Sequence, residues 1–188
     1  MRRDAVPSPR YVPESTRFHL PIPRRMMTTS DDGARQMLRH TLATLAYRGG
    51  KALRGAPDGF AAFDACPGAR TPGQILAHLG DLLDWARALA DGQHTWRNAE
   101  PLPWDDGVAR FFAGLERLDR RLADGAPLGF PPEQLFQGPV ADALTHVGQI
   151  AMLRRMAGSP VRGENYFKAD IHAGRVGADQ PPSKVEFD

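Results

Sequence analysis

The stretch TPGQILAHLGDLLDWARALADG, residues 71–92, carries the clearest structural signal in the chain. Its first four residues form a capping box: threonine at the N-cap, proline at the first helical position, and glutamine three residues after the threonine. Asp81, Asp84 and Arg87 fall on one face, and Gly92 follows as a C-terminal stop. The stretch therefore predicts an amphipathic helix, and its apolar face consists of Ile75, Leu76, Leu79, Leu82, Leu83, Ala86 and Leu89.

Three more segments space their apolar residues as a helix does. The first runs from about Ser30 to Arg54, and another runs from about Asp105 to Ala123. The last is expected to start near Pro139, as its first helical residue, and to run to Ala157. None of the remaining sequence has a convincing strand pattern. Four amphipathic helices of about 20 residues predict an all-α protein, a four-helix bundle.

The connector from residue 92 to residue 104 bears on the topology of this bundle. A helix of about 20 residues is roughly 30 Å long, and a connector of about 13 residues reaches roughly 43 Å when extended. The third helix can therefore run parallel to the second. Trp96 and Trp104 suit a strap packed on the outside. We expect up-down-down-up topology, with a simple up-down-up-down bundle as the alternative.

Residues 1–28 are rich in arginine and proline, which predicts a non-helical N-terminal arm. Three interpretations stay open: an extended arm lying on the body, a loose tail, or an artefact of an upstream start codon. In the last case Met26 or Met27 is the biological start. The bundle itself is expected over residues 29–158, and the first 25 residues are expected to be dispensable for its folding.

Residues 159–188 form a C-terminal tail in which glycines and prolines repeatedly break the helical pattern. Residues 165–172 are expected to form one or two helical turns. The tail contains apolar side chains that a free tail would not need, which are Tyr166, Phe167, Ile171 and Phe187. We therefore expect it to pack on the bundle.

The basic character of the chain is confined to its first residues. The isoelectric point calculated from the sequence is about 9.0, yet the formal net charge is only +2. Residues 1–25 carry a net charge of +4, so the remainder carries −2. A slightly acidic body argues against a nucleic-acid-binding face.

Targeting signals are also missing from the sequence. No apolar run approaches the roughly 20 residues that span a bilayer, and the N-terminal segment lacks the apolar core of a secretory signal. Cys66 is the one cysteine, so no intramolecular disulfide is expected. We expect a cytoplasmic protein that acts without a membrane or a nucleic-acid partner.

Two histidines and one aspartate are candidates for metal binding. His78 falls at the edge of the apolar stripe of the second helix, and His146 falls at the edge of that of the fourth. Asp142 precedes His146 by four residues, so both side chains point the same way. Two histidines and a carboxylate suffice for an open metal site. The alternative is a buried hydrogen-bonded pair of Asp142 and His146, with His78 unrelated. The other histidines are expected at the surface: His19, His40, His94 and His172.

Further polar residues fall on the inner faces of the predicted helices. Asp119 lies near the centre of the apolar stripe of the third helix, and Arg154 lies on the inner side of the fourth. Either would be costly to bury without a partner. We expect them to pair with each other, with Arg48, or with the metal-site groups. Asp119, Arg48 and Asp170 are the candidates for supporting the metal ligands, and Glu164 is a further candidate general base.

Two stretches resemble the DinB-like superfamily of damage-inducible and YfiT-like proteins. They are LAHLGD at residues 76–81 and DALTHVGQIAMLRR at residues 142–155, and the resemblance spans roughly residues 30–158. It implies an up-down-down-up bundle, frequent dimerisation, and a divalent metal held by three histidines. His78 and His146 match the first and third of these ligands. Asp142 stands at the second, where most members carry histidine.

The resemblance also implies a class of activity. Some relatives are similar to thiol-dependent transferases, and others are similar to metal-dependent hydrolases. The expected function is a metal-dependent transferase or hydrolase that acts on a small molecule in stress or detoxification. Zinc, nickel, manganese and iron all suit the mixed ligand set, and a low-molecular-weight thiol is the expected cosubstrate of a transferase. The alternative is a non-catalytic stress-response protein that binds metal or acts as a dimeric interaction module.

Overall fold

The computed structural model describes residues 29–187, and this part of the chain is 59% helical. The helices are α1 Thr29–Leu53, α2 Pro72–Ala90, α3 Trp104–Ala123, α4 Pro132–Leu135 and α5 Ala141–Met156. Two strands of two residues each, β1 Gly163–Glu164 and β2 Glu186–Phe187, pair antiparallel. The predicted arm, with His19, Met26 and Met27, lies outside the described residues. Within residues 29–187, no helix is long and apolar enough to cross a membrane.

The capping box at the start of α2 is present. The backbone N–H of Gln74 donates to the Thr71 hydroxyl, and the Gln74 side chain accepts from the Thr71 N–H. The prediction that Asp81 lies on the polar face of this helix is wrong, because its side chain is buried. Its carboxylate accepts hydrogen bonds from Arg110 at 2.7 Å and from the Ala99 N–H at 3.0 Å.

The last long helical stretch begins earlier than its sequence pattern suggests. It starts at Pro132 rather than at Pro139, and the π-helical segment Phe136–Val140 joins α4 to α5. The assignment of Pro139 as the first helical residue is therefore wrong. A π turn interrupts the regular hydrogen-bond ladder, and a proline without an N–H is tolerated at such an interruption. Pro132 occupies the helix start instead.

The long helices pack around one apolar core. Helix α2 contacts α3 and α5, and α1 contacts the same two helices. Gly49 permits the closest approach of α1 to α3, because a Cβ there would lie 2.7 Å from the Phe111 ring. The middle of α2 meets the first half of α3 where Arg110 bonds to Asp81, and the C-cap of α2 meets the last turn of α3 where Arg121 bonds to Asp91.

Two buried arginines satisfy carbonyl groups at helix ends. Arg154 donates to the carbonyl oxygens of Ala52, Arg54 and Gly55 just where α1 ends. Arg35 donates to the carbonyl of Leu122 in the last turn of α3, and also to that of Ala126. The last four carbonyls of a helix have no partner within the helix. These arginines therefore join the end of each helix to a neighbouring helix.

The tail contacts the helices mainly through polar groups. Glu164 is buried and accepts hydrogen bonds from the Tyr47 hydroxyl at 2.6 Å, Lys51 Nζ at 2.8 Å and the Ser183 hydroxyl at 2.9 Å. The expectation that Phe167 anchors the tail is wrong, because its side chain is 97% exposed. Val176, which the sequence analysis did not single out, is buried in the core instead.

Candidate metal site

Helices α2 and α5 bring His78, Asp142 and His146 together. Each residue offers one atom that can bind a metal, and these atoms all lie within 4.8 Å of one another. His146 is buried, whereas His78 and Asp142 are partly buried. The three residues form a group that could hold a metal ion.

The positions of these side chains follow from the helices that carry them. Asp142 and His146 lie one turn apart on α5, and their side chains meet across that turn, with Nδ1 3.1 Å from Oδ1. His78 reaches the same place from α2, whose start is set by the capping box a few residues earlier. The two imidazole ring centres are 4.6 Å apart. His78 therefore contacts both other residues, and the alternative in which it is unrelated to them is wrong.

Hydrogen bonding decides which nitrogen of His146 is free. His146 Nδ1 lies 2.9 Å from the backbone carbonyl oxygen of Asp142. A carbonyl oxygen only accepts, so Nδ1 must carry the proton in this contact. The lone pair of neutral His146 then sits on Nε2. This is the tautomer that a metal ligand needs, with the second ring nitrogen held by a backbone carbonyl.

His78 is electrostatically suited to be a neutral ligand. Burial lowers the pKa of His78, and the neighbouring His146 and Arg70 lower it further, whereas the Asp142 carboxylate opposes them. The net result is a pKa below the ordinary value of 6.5. His78 Nε2 lies 3.5 Å from Asp142 Oδ2. At neutral pH the ring is therefore uncharged and has a lone pair available for a metal ion.

The spacing of the three groups is close to what one ion requires. Two ligand atoms at about 2.1 Å from a common zinc ion can be at most about 4.2 Å apart. The atoms here lie within 4.8 Å of one another, an upper bound slightly above that limit. The donor set contains two nitrogens and a carboxylate oxygen, which suits zinc and other first-row divalent metals. The residues present therefore fit a divalent cation.

Aromatic rings from the α2–α3 connector cover one side of the cluster. The Trp96 ring lies edge-on to His78, with ring centres 5.5 Å apart. Trp85 of α2 lies edge-on to Trp96 at 5.6 Å. The sequence predicts Trp96 in an outer strap but does not indicate its contact with His78. The contact depends on where the connector crosses α2, which local sequence does not specify.

An open cleft of about 410 Å³ lies beside the cluster. Its lining consists of Ala69, Arg70, Ile75, His146, Gln149, Met152 and Leu153. His146 thus belongs both to the candidate metal site and to a space that a small molecule could enter. Arg70 was not singled out from the sequence. It directly precedes the capping threonine, which was the one signal that could have placed it near His78.

The other predicted site residues are engaged elsewhere. Asp119 is buried and accepts two hydrogen bonds from Arg39, at 2.8 and 3.0 Å. Its expected pairing with Arg154 or Arg48 is wrong. The Arg48 guanidinium lies 4.5 Å from the centre of the Tyr166 ring. Asp170 pairs with His172 and Arg175 in the tail. None of these contacts reaches the cluster.

The remaining described histidines lie away from the cluster. His40, His94 and His172 are exposed, as the sequence analysis expects. Asp119 and Glu164 are also candidate general bases. The carboxylate of Asp119 pairs with Arg39, and that of Glu164 pairs with Lys51. A general base is therefore not supplied by these two groups.

Comparison with known proteins identifies no relative. No protein-family model, no curated protein and no solved structure matches the chain. The function therefore has to be argued from the cluster, its cleft and their surroundings.

Proposed function

We propose that this protein binds a divalent cation through His78, Asp142 and His146 and uses it to act on a small molecule. The observation that carries the proposal is the convergence of these three groups from two helices. The ion pairs of Asp142 run only to the two imidazoles within the described residues. One of those imidazoles has a lowered pKa and is neutral at pH 7. A cation from outside the chain would balance the Asp142 charge.

The proposed activity is that of a metal-dependent transferase or hydrolase of the DinB-like type. A bound cation supplies Lewis acidity, which acidifies either a low-molecular-weight thiol or a water molecule. His146 Nδ1 is held by the Asp142 carbonyl, so its Nε2 keeps a fixed direction. The Trp96 ring lies edge-on against His78 and supports the orientation of its imidazole. The cleft next to His146 would hold the small-molecule substrate.

We extend the proposal to the helix arrangement, an up-down-down-up bundle. Asp81 in the middle of α2 bonds to Arg110 in the first half of α3, and Asp91 just after α2 bonds to Arg121 in the last turn of α3. Arg154 near the end of α5 bonds to carbonyls at the end of α1. These contacts support parallel α2–α3 and α1–α5 pairs, in which α2 and α5 cross in opposite directions at the cluster.

Metal titration tests the proposal. The purified full chain, stripped with a chelator, would be titrated calorimetrically with Zn²⁺, Ni²⁺, Mn²⁺ and Fe²⁺. We expect one ion per chain, and we expect His78→Ala, Asp142→Asn and His146→Ala each to weaken binding by about 100-fold or more. His40→Ala and Asp58→Asn change an exposed histidine and an exposed aspartate away from the cluster, and they should leave the affinity unchanged. Equal affinity in all variants would refute the site.

Activity assays then separate the two chemistries. The metal-loaded protein would be assayed on electrophilic and on hydrolysable small molecules, with and without a thiol cosubstrate. A transferase requires the thiol, whereas a hydrolase does not. Metal binding without turnover in either assay would favour a non-catalytic metal-binding protein.

A specific feature favours the interaction module as a second candidate. An apolar groove of about 380 Å³ lies between the start of α1 and α4, beside Met37, which is 67% exposed, and Phe136, which is 46% exposed. A homodimer would cover such a surface. Light scattering on the wild type and on Met37→Glu tests this: a dimer that dissociates in the variant supports it, and a monomeric wild type contradicts it.

A further inference from the structure

The cleft beside the cluster contains a cation, Arg70, that no residue of the described range 29–187 neutralises. Within residues 29–187, no hydrogen bond or ion pair engages Arg70. Several other arginines are paired, namely Arg39 with Asp119, Arg110 with Asp81 and Arg121 with Asp91, whereas Arg97 and Arg155 resemble Arg70 in having no such pair within the described residues. Arg70 is close enough to the cluster for its charge to lower the pKa of His78.

The rest of the cleft lining contains no opposing charge. Besides Arg70, its polar residues are the amide Gln149 and the imidazole His146. The others are apolar: Ala69, Ile75, Met152 and Leu153. The larger cleft of about 540 Å³ under the α2–α3 connector is different. It is lined by two arginines, Arg97 and Arg110, and by three carboxylates, Asp81, Asp84 and Glu100. The two clefts therefore select for different ligands.

A bound metal would increase the positive charge of the smaller cleft. Coordinating imidazoles are neutral, and Asp142 contributes one negative charge. A divalent cation outweighs that charge by one, and Arg70 adds another. Opposite charge at short range is the strongest attraction available to a small polar ligand there.

We infer that the substrate of this site is a small amphipathic anion, whose carboxylate or phosphate group is bound by Arg70 and whose apolar part lies against Ile75, Met152 and Leu153. This inference rests on the proposed function and adds a substrate class to it. Arg70 and the apolar wall line the same cleft as His146. The reacting part of the substrate would thus face the candidate metal site.

The test uses hexanoate, hexyl phosphate and the neutral 1-hexanol as probes, titrated into the full chain by NMR or calorimetry. Hexanoate or hexyl phosphate should bind at least about tenfold more tightly than 1-hexanol, because only the anions form a charge-assisted hydrogen bond with Arg70. The tighter of the two anions identifies the group as carboxylate or phosphate. Hexanoate should also bind more tightly than acetate, since its chain buries apolar surface. Equal affinity for the anions and for 1-hexanol would overturn the inference.

Variants assign the effect to Arg70. Arg70→Gln should lose most of the preference for the anions, and Arg70→Lys should keep part of it, because the charge remains but the planar fork is lost. Arg97→Gln removes an exposed arginine of the other cleft and is the matched control. An anion preference that survives in Arg70→Gln, or that falls equally in Arg97→Gln, would contradict the assignment.

Measurements with and without Zn²⁺ keep the two proposals distinguishable. Arg70 should favour the anionic probes in the metal-free protein as well, where no metal can bind a carboxylate. A wild type that binds no metal but shows the Arg70-dependent preference refutes the metal site and retains the anion site. A wild type that binds metal but shows no preference for the anionic probes refutes the anion site and retains the metal site.

Discussion

Two regions of the molecule treat carboxylates differently. Between α1 and α3, Asp119 is buried and both of its oxygens are bonded to Arg39. Between α2 and α5, Asp142 faces two imidazoles, one of which has a lowered pKa. The first charge is paired with a guanidinium, whereas the second has only imidazole partners among the described residues. The comparison separates a carboxylate that stabilises the fold from one that is available to a ligand.

The largest effect is expected from breaking the ion pair between Asp119 and Arg39. Asp119→Asn leaves the Arg39 guanidinium at a mostly buried position without its counter-charge, which should destabilise the protein by about 2–4 kcal/mol. Asp142→Asn in the metal-free protein should change the free energy of unfolding by less than about 0.5 kcal/mol. Urea unfolding in the presence of a chelator measures both. A loss of similar size in the two variants would remove the distinction between the regions.

A metal should convert the second region into a stabilising one. At a free Zn²⁺ concentration of 100 times the dissociation constant, the wild type should gain about 2.7 kcal/mol of unfolding free energy. His146→Ala should gain almost nothing, while His40→Ala should behave as the wild type does. Thermal unfolding with and without Zn²⁺ provides the measurement. Equal stabilisation of His146→Ala would place the metal elsewhere.

Glu164 extends the comparison to the tail. Burial raises the pKa of its carboxyl, but hydrogen bonds from Lys51, Tyr47 and Ser183 outweigh this, so the pKa lies below its ordinary value of 4.5. A carboxyl with a lowered folded-state pKa stabilises the protein above its unfolded-state pKa and loses that contribution as the pH falls through the folded-state value.

Glu164→Gln should therefore destabilise the protein by about 1–2 kcal/mol at pH 7. The difference from the wild type should shrink as the pH is lowered below 4.5, the ordinary pKa of this carboxyl. Unfolding curves recorded from pH 3 to pH 7 test this direction. A difference that grows as the pH is lowered would show that the charged carboxylate does not stabilise the tail.

The smallest effect is expected at Phe167. Its side chain is 97% exposed, so Phe167→Ser should change the free energy of unfolding by less than about 0.5 kcal/mol. Val176→Ala removes buried apolar volume from the same tail and should cost about 1 kcal/mol. Denaturant unfolding of both variants tests whether buried rather than exposed apolar residues attach the tail. A larger loss for Phe167→Ser would reverse that conclusion.

The sequence by itself determined the parts of the protein that depend on near neighbours in the chain. The capping box at residues 71–74 was readable because its hydrogen bonds join residues three apart. The one-turn spacing of Asp142 and His146 was equally readable, since helical periodicity places such residues on one face. One local signal gave a wrong prediction. Pro139 has the sequence pattern of a helix start, but it lies inside the π-helical segment Phe136–Val140.

Only the tertiary structure decided which of these groups meet. Asp119 was predicted at the interior, but its partner Arg39 lies 80 residues away and comes from the packing of α1 against α3. His78 joins Asp142 across α2 and α5, and Arg70 becomes part of a cleft through the same packing. Contacts of this kind depend on the rotation of each helix about its axis and on the angle at which two helices cross. A small change in either one brings a different side chain into the contact. Helical periodicity places a residue on a face of its own helix, but the partner across the core is set by how the helices pack.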